Sequence, residues 1–157
     1  MEIELYKQLI NDPVFLYDMM ETMLGDKLGE GIHRKVFAHP LNDKVVVKIA
    51  TDPRGTQANV TEFKYYEEVS WLTGDLSWVK DWFAPVEYIS SNGGVLIMKR
   101  TEVRTNKKKP DEVPAFIQDA HEDNFGWIGN KFVCHDYGCQ TFLTSQITKK
   151  MKKPYWV

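Results

Sequence analysis

Disulfides, membrane-spanning runs and a surplus of either charge are all missing from this chain of 157 residues. Two cysteines, Cys134 and Cys139, are too few for a disulfide framework, which fits a reducing cytoplasm. No apolar stretch approaches the roughly 20 residues needed to cross a bilayer. The opening Met1-Glu2-Ile3-Glu4 is acidic where a secretory signal is basic. Lys plus Arg number 20 against 22 Asp plus Glu, a net charge of −2 that argues against a general nucleic-acid coat. Internal repeats and low-complexity tracts are absent too. What the chain has is core material: 43% hydrophobic and 13% aromatic residues predict one compact domain or two small lobes. The expectation is a globular cytoplasmic protein without membrane contact.

Residues 2–24 read as helix in two pieces. Leu5, Leu9 and Ile10 form one apolar stripe; Asp12-Pro13 then restarts a helix carrying Phe15, Leu16, Met19, Met20 and Met23, closed by Gly25. From Leu28 the texture is β. One strand ends at Val36-Phe37, a turn follows from His39 to Asp43, and Val45 to Ala50 is a second, antiparallel strand rich in β-branched residues. Asp52-Pro53-Arg54-Gly55 reads as a loop. Val60, Phe63, Tyr66, Val69 and Leu72 recur at helical spacing over residues 57–72. Phe83 to Ile89 and Val95 to Met98 predict a hairpin around Ser90-Ser91-Asn92-Gly93-Gly94, and Phe125 to Ile128 pairs with Lys131 to His135 around Gly129-Asn130. Between them, Arg104 to Pro110 is a polar linker and Val113 to Ile117 a short segment. The tail from Thr144 is polar and basic, with Trp156 available to dock on a neighbour.

Three constellations carry chemistry. In Leu28-Gly29-Glu30-Gly31-Ile32-His33-Arg34, two glycines one residue apart let the backbone approach phosphate oxygens closely, though a plain turn uses the same residues. Lys48, in the strand that follows, can fix an ammonium near phosphates if a carboxylate from the next helix orients it. Glu62, Glu67 and Glu68 are candidates, with Glu62, near the helix start, preferred. The third is Asp119-Ala120-His121-Glu122-Asp123-Asn124, followed across a hairpin by Asp136-Tyr137-Gly138. Its oxygens suit proton acceptance and Mg²⁺ ligation, whereas any one acid alone is equally a loop cap. Cys134, His135, Cys139 and His121 could be imagined around zinc, but a buried cysteine beside a functional loop is the better reading. Lys107-Lys108-Lys109 and Lys149 to Lys153 read as solvated linker and tail charge rather than an anion-binding patch.

Taken together, these motifs resemble the protein-kinase-like superfamily, on the branch of small bacterial and phage kinase-like proteins and aminoglycoside or choline phosphotransferases. The Asp-x-His-x-x-Asn loop of that branch is matched by Asp119, His121 and Asn124. The resemblance implies Gly29 and Gly31 over the phosphates of ATP, Lys48 on the α- and β-phosphates, and Glu62 as its helix partner. It implies Asp119 as catalytic base, Asn124 and Asp136 on Mg²⁺, and His121 as a brace of the loop. Met98 would precede a hinge from Lys99 to Glu102, with Arg100 and Glu102 against adenine. Arg34 stands where the third glycine of a kinase loop is expected. No Ala-Pro-Glu anchor follows, and few residues lie between Pro110 and Asp119 or after Gly138.

The expected fold is therefore α+β. It would be kinase-like, with a helical segment over residues 1–27, an antiparallel-sheet N-lobe over 28–103 and a strongly truncated C-lobe over 104–157. The N-terminal helices or a second copy in a homodimer would cover that thin lobe. The expected function is ATP- and Mg²⁺-dependent transfer of the γ-phosphate to an acceptor that the motifs do not identify. The alternative is a non-catalytic regulator that binds a partner protein and keeps the nucleotide cleft only as a structural or switching element.

Overall fold

Antiparallel pairing around one long helix organises the computed structural model, which describes residues 3–9, 23–140 and 147–157. A short helix α1 (Ile3–Leu9) is followed by β1 (Lys27–Glu30), β2 (Arg34–His39), β3 (Asn42–Ala50), the long helix α2 (Pro53–Ser70), β4 (Val86–Ile89) and β5 (Val95–Lys99). These strands form one five-stranded sheet in the order β1-β2-β3-β5-β4, every neighbour antiparallel. Then come β6 (Val113–Pro114), the hairpin of β7 (Phe125–Ile128) and β8 (Lys131–Cys134), and β9 (Met151–Lys152). The architecture is mixed helix and antiparallel sheet. Among the described residues no helix is long and apolar enough to cross a membrane.

The chain turns beside the glycine pair, at Gly31-Ile32-His33, where the Gly31 N–H donates to the Arg34 carbonyl at 2.8 Å and separates β1 from β2. Two expected boundaries are corrected. The loop Asp52 to Gly55 opens α2: the Asp52 carboxylate accepts from the Gly55 N–H at 2.9 Å, and Pro53 takes the first helical turn, where its missing N–H costs nothing. Glu62 therefore lies mid-helix, not near its start. Finally, β4 begins at Val86 rather than Phe83. Pro85 cannot donate to a ladder, and the Phe83 N–H turns back to the Lys80 carbonyl.

Two-residue alternation sorts the sheet into two faces. Val45, Val47 and Ile49 of β3 join Val95 and Ile97 of β5 in a cluster on one face. Met23 and Leu24 pack there, and the Lys7 ammonium lies 5.3 Å from the centre of the Tyr88 ring. The described N-terminal contacts are thus with the sheet. Leu5, expected on a buried stripe, is exposed; the helix restart from Asp12 through Met20 lies outside the described residues.

The opposite face carries the main core. Val46, Leu96 and Met98 meet Tyr65 and Val69 of α2, then Phe83, Val113, Ile117, Phe125, Trp127 and Tyr137. Arg104 to Pro110, expected as a linker, is tied to the β7–β8 hairpin. Arg104 donates to the Gly129 carbonyl at 2.9 Å, and the Lys107 ammonium stands 4.0 Å from the centre of the Trp127 ring. The tail is also held by its own chain. β9 pairs with β6, and Trp156, expected to be available to a neighbour, packs edge-on against Phe125 and Phe132 of its own chain while donating to the Pro110 carbonyl at 3.1 Å.

Gly138 shows how closely the Asp136-Tyr137-Gly138 segment lies on α2. A Cβ there would fall 2.7 Å from the Ala58 methyl and 3.0 Å from its carbonyl oxygen. Gly138→Ala is expected to cost about 1–3 kcal/mol by overpacking, read as a lower urea midpoint. An unchanged midpoint would mean that α2 yields freely at Ala58.

Candidate functional site

Strand alternation places Lys48 on the α2 side of β3, on the same face as Val46, and leaves it only 4% exposed. An ammonium so buried needs partners. It donates to both oxygens of Glu62, at 2.9 and 3.1 Å, and to the His135 carbonyl. Glu62 is fully buried and also accepts the Tyr137 N–H at 3.1 Å. Tyr137 is fixed in turn by its hydroxyl, which donates to the Ala84 carbonyl at 2.8 Å. The strand lysine, the helix carboxylate and the Asp136 segment thus meet at one place.

Arg34 completes the cluster. Its guanidinium reaches Glu62 from both terminal nitrogens at 2.9 Å and Asp136 Oδ1 at 2.6 Å. Asn59, one turn before Glu62 on α2, accepts from Arg34 at 3.3 Å and donates to the Gly93 carbonyl at 3.0 Å. Burial opposes the guanidinium charge, but the Glu62 and Asp136 carboxylates outweigh it and push its proton affinity up. Burial likewise pulls the Asp136 carboxyl upward; Lys48, then Arg34 and His135, overcome this and hold it below the ordinary range. Arg34 was legible only as a missing glycine. The signal that could have found it is alternation: it stands two residues before Val36, which packs on the main core.

The Asp119–Asn124 loop adjoins the cluster through its backbone. Asn124 lies in a 3₁₀ turn and its side-chain amide donates to the Asp119 carbonyl at 3.2 Å. Its own carbonyl accepts the His135 and Asp136 N–H groups at 2.8 and 3.4 Å, setting Asn124 beside Asp136. The Asp119 carboxylate is half-exposed and lies 3.5 Å from His121 Nε2. The His121 ring packs on Tyr155 of the tail with centroids 4.4 Å apart, and the Tyr155 N–H donates to the Ala120 carbonyl at 3.1 Å. The tail thus braces this loop.

His135 is held from both ring nitrogens. Nε2 is 3.0 Å from the Asp123 carbonyl, which can only accept, so Nε2 carries the hydrogen and Nδ1 accepts from the Thr101 hydroxyl at 2.8 Å. Burial, then the Lys48 ammonium, lowers its pKa to about 4. The folded protein therefore keeps His135 neutral where the unfolded chain, near its usual 6.5, binds a proton. Stability should be full above pH 6.5 and fall as pH drops toward 4, where the folded state also protonates. Urea titrations across that window test this, and His135→Gln should flatten the slope. A slope unchanged by the variant would assign it to other groups.

No family model matches the chain, and no curated protein does. Among solved structures, the streptomycin–ATP–APH(2″)-IIa ternary complex is similar over 66% of this chain and 30% of that one, at 18% identity and a TM-score of 0.39. A likeness this low leaves the chemistry to rest on the site itself.

The remaining expected residues fall as follows. A Cβ on Gly29 would meet no atom within 4 Å, and one on Gly31 would meet only the Arg34 carbonyl at 3.8 Å, so backbone there is open to close approach. Met98 is fully buried on the main-core face of β5, beside Leu96. Along Lys99 to Glu102, three amides are already used: Lys99 donates to Pro85, Arg100 to Lys44 and Glu102 to Trp127. Glu102 also accepts the Trp127 N–H at 2.9 Å, closing its main chain onto β7. Cys134 is buried, its Sγ 3.4 Å from the Asp136 carbonyl, and burial pushes its thiol up, away from the thiolate a zinc ligand needs. Among the described residues no three His, Cys, Asp or Glu side chains gather as a metal site.

Proposed function

We propose that this protein is an ATP- and Mg²⁺-dependent phosphotransferase of kinase-like architecture. The observation that carries this reading is the meeting of Lys48, Glu62 and Asp136, from a strand, a helix and a loop, beside Asn124. Phosphoryl transfer is mostly positioning and charge stabilisation, so few side chains are needed. In this reading Lys48 holds the α- and β-phosphates, Glu62 orients it, and the Gly29–Gly31 backbone lies over the phosphates. Asp119 accepts the proton of the acceptor hydroxyl.

The donor set fits magnesium. Asp136 and Asn124 supply hard oxygen ligands, and an ion that also binds phosphates and water needs only one or two protein carboxylates. When bound, Mg²⁺ would neutralise charge on the phosphates. Adenine recognition at the proposed hinge after Met98 would fall to the Thr101 amide and to carbonyls, since the Arg100 and Glu102 amides are taken.

A second reading is favoured by one observation, the Arg34–Asp136 ion pair across the proposed magnesium ligand. In it the protein is a non-catalytic regulator that binds a partner protein. ATP with Mg²⁺ should raise thermal stability by mass action, about 2.7 kcal/mol at a hundredfold excess over Kd. Transfer of labelled γ-phosphate to the protein itself or to host extract then separates the two readings. Binding without transfer to any acceptor favours the regulator, and no stabilisation by ATP overturns the phosphotransferase.

A further inference from the structure

We propose that Arg34 is a latch on the magnesium side of this site, holding the Asp136 carboxylate until a divalent cation and a polyphosphate displace it. The inference rests on the nucleotide reading above and concerns how that site opens.

Hydrogen-bond accounting carries it. Arg34 Nη1 serves Glu62 Oε2 at 2.9 Å and Asn59 Oδ1 at 3.3 Å, while Nη2 serves Glu62 Oε1 at 2.9 Å and Asp136 Oδ1 at 2.6 Å. Each terminal nitrogen of a guanidinium has two hydrogens; both of those on Nη2 are donated, to Glu62 and Asp136, while Nη1 donates to Asn59 and forms an ion pair with Glu62 Oε2. The three hydrogens of the Lys48 ammonium are likewise matched by the two Glu62 oxygens and the His135 carbonyl. Two cations face two carboxylates, and the cluster is neutral. Releasing Asp136 would free one Nη2 hydrogen for a phosphate oxygen.

Asp136 is the contact that can be released. Its carboxylate is half-exposed, whereas Glu62 and Asn59 are fully buried. With a divalent cation held at Asp136, the guanidinium 2.6 Å from Oδ1 would be repelled from that carboxylate. Once displaced from Asp136, Arg34 keeps its bonds to Glu62, and Nη2 has a hydrogen to offer a phosphate oxygen. The backbone beneath it stays in place: the His33 carbonyl accepts the Thr51 N–H at 2.9 Å, and His33 Nδ1 lies 2.6 Å from Asp52 Oδ2. Opening is therefore a side-chain movement.

The test uses the full chain and measures ATP binding by calorimetry at increasing Mg²⁺. Arg34→Gln should lower the Mg²⁺ concentration for half-maximal binding by about tenfold or more, because the closed fraction no longer competes. An unchanged or higher requirement overturns the latch and leaves the nucleotide reading standing. Absence of ATP binding in both proteins at every Mg²⁺ level overturns both. Should the variant fail to fold, the wild type decides: its Arg34 guanidinium ¹⁵N resonances should be resolved in the free protein and move on saturation with Mg²⁺ and ATP. Resonances that stay in place with ATP bound overturn the latch.

Discussion

Glu62→Ala is expected to lower the unfolding free energy by about 3–5 kcal/mol, the loss seen when one partner of a buried ion pair is removed. The magnitude follows from what Glu62 satisfies. Lys48 and Arg34 are nearly buried and both turn to this fully buried carboxylate, which also accepts the Tyr137 N–H. Its removal leaves an ammonium and a guanidinium short of counter-charge in a place where water cannot reach them freely. Glu62→Gln should cost less, since the amide oxygen can still accept from Tyr137 while the charge is lost. Urea denaturation reads both as a lower midpoint at constant slope. A loss under about 1 kcal/mol for the alanine variant would mean that the cluster is hydrated on removal, as for a surface pair, and is not a buried structural unit.

Under the proposed phosphotransferase function, Asp119→Asn is expected to reduce phosphoryl transfer by about 10²–10⁴-fold, the range for losing a positioned general base, with ATP affinity unchanged. The separation of the two effects comes from geometry. Asp119 meets Asn124 through its backbone carbonyl, which the substitution leaves intact, and its half-exposed carboxylate lies against His121. Asparagine keeps the shape and removes the basic oxygen. Single-turnover transfer beside calorimetric ATP binding separates the outcomes. Equal losses in both would assign Asp119 to holding the loop, and full activity would remove it from the chemistry.

Local chemistry explains which elements were legible in advance. The valine-rich run of β3, the Asn-Gly-Gly and Gly-Asn hairpin turns and the apolar spacing of α2 are short-range signals, and each is present as an element. Glu62 was preferred over Glu67 and Glu68 as the partner of Lys48 for standing near the helix start; it stands mid-helix, and burial on the Lys48 side of α2 is what brings the two together. The start of α2 was missed although Asp52-Pro53 has the same cap-and-proline form that was read as a helix start at Asp12-Pro13.

What sequence alone determined is periodic: which residues alternate in and out, where turns reverse the chain, and which chemical groups were available. What only tertiary structure decided is long-range. Arg34, Asn59 and Asp136 come from distant parts of the chain, and nothing in their local spacing says that one guanidinium spans Glu62 and Asp136. The same holds for the tail, where Trp156 finds Phe125 and Pro110, and Tyr155 lies on His121. Burial drives both outcomes. An arginine on an inner strand position must find carboxylates once water is excluded, and an indole must find apolar cover, but which partners they meet depends on how the whole chain closes.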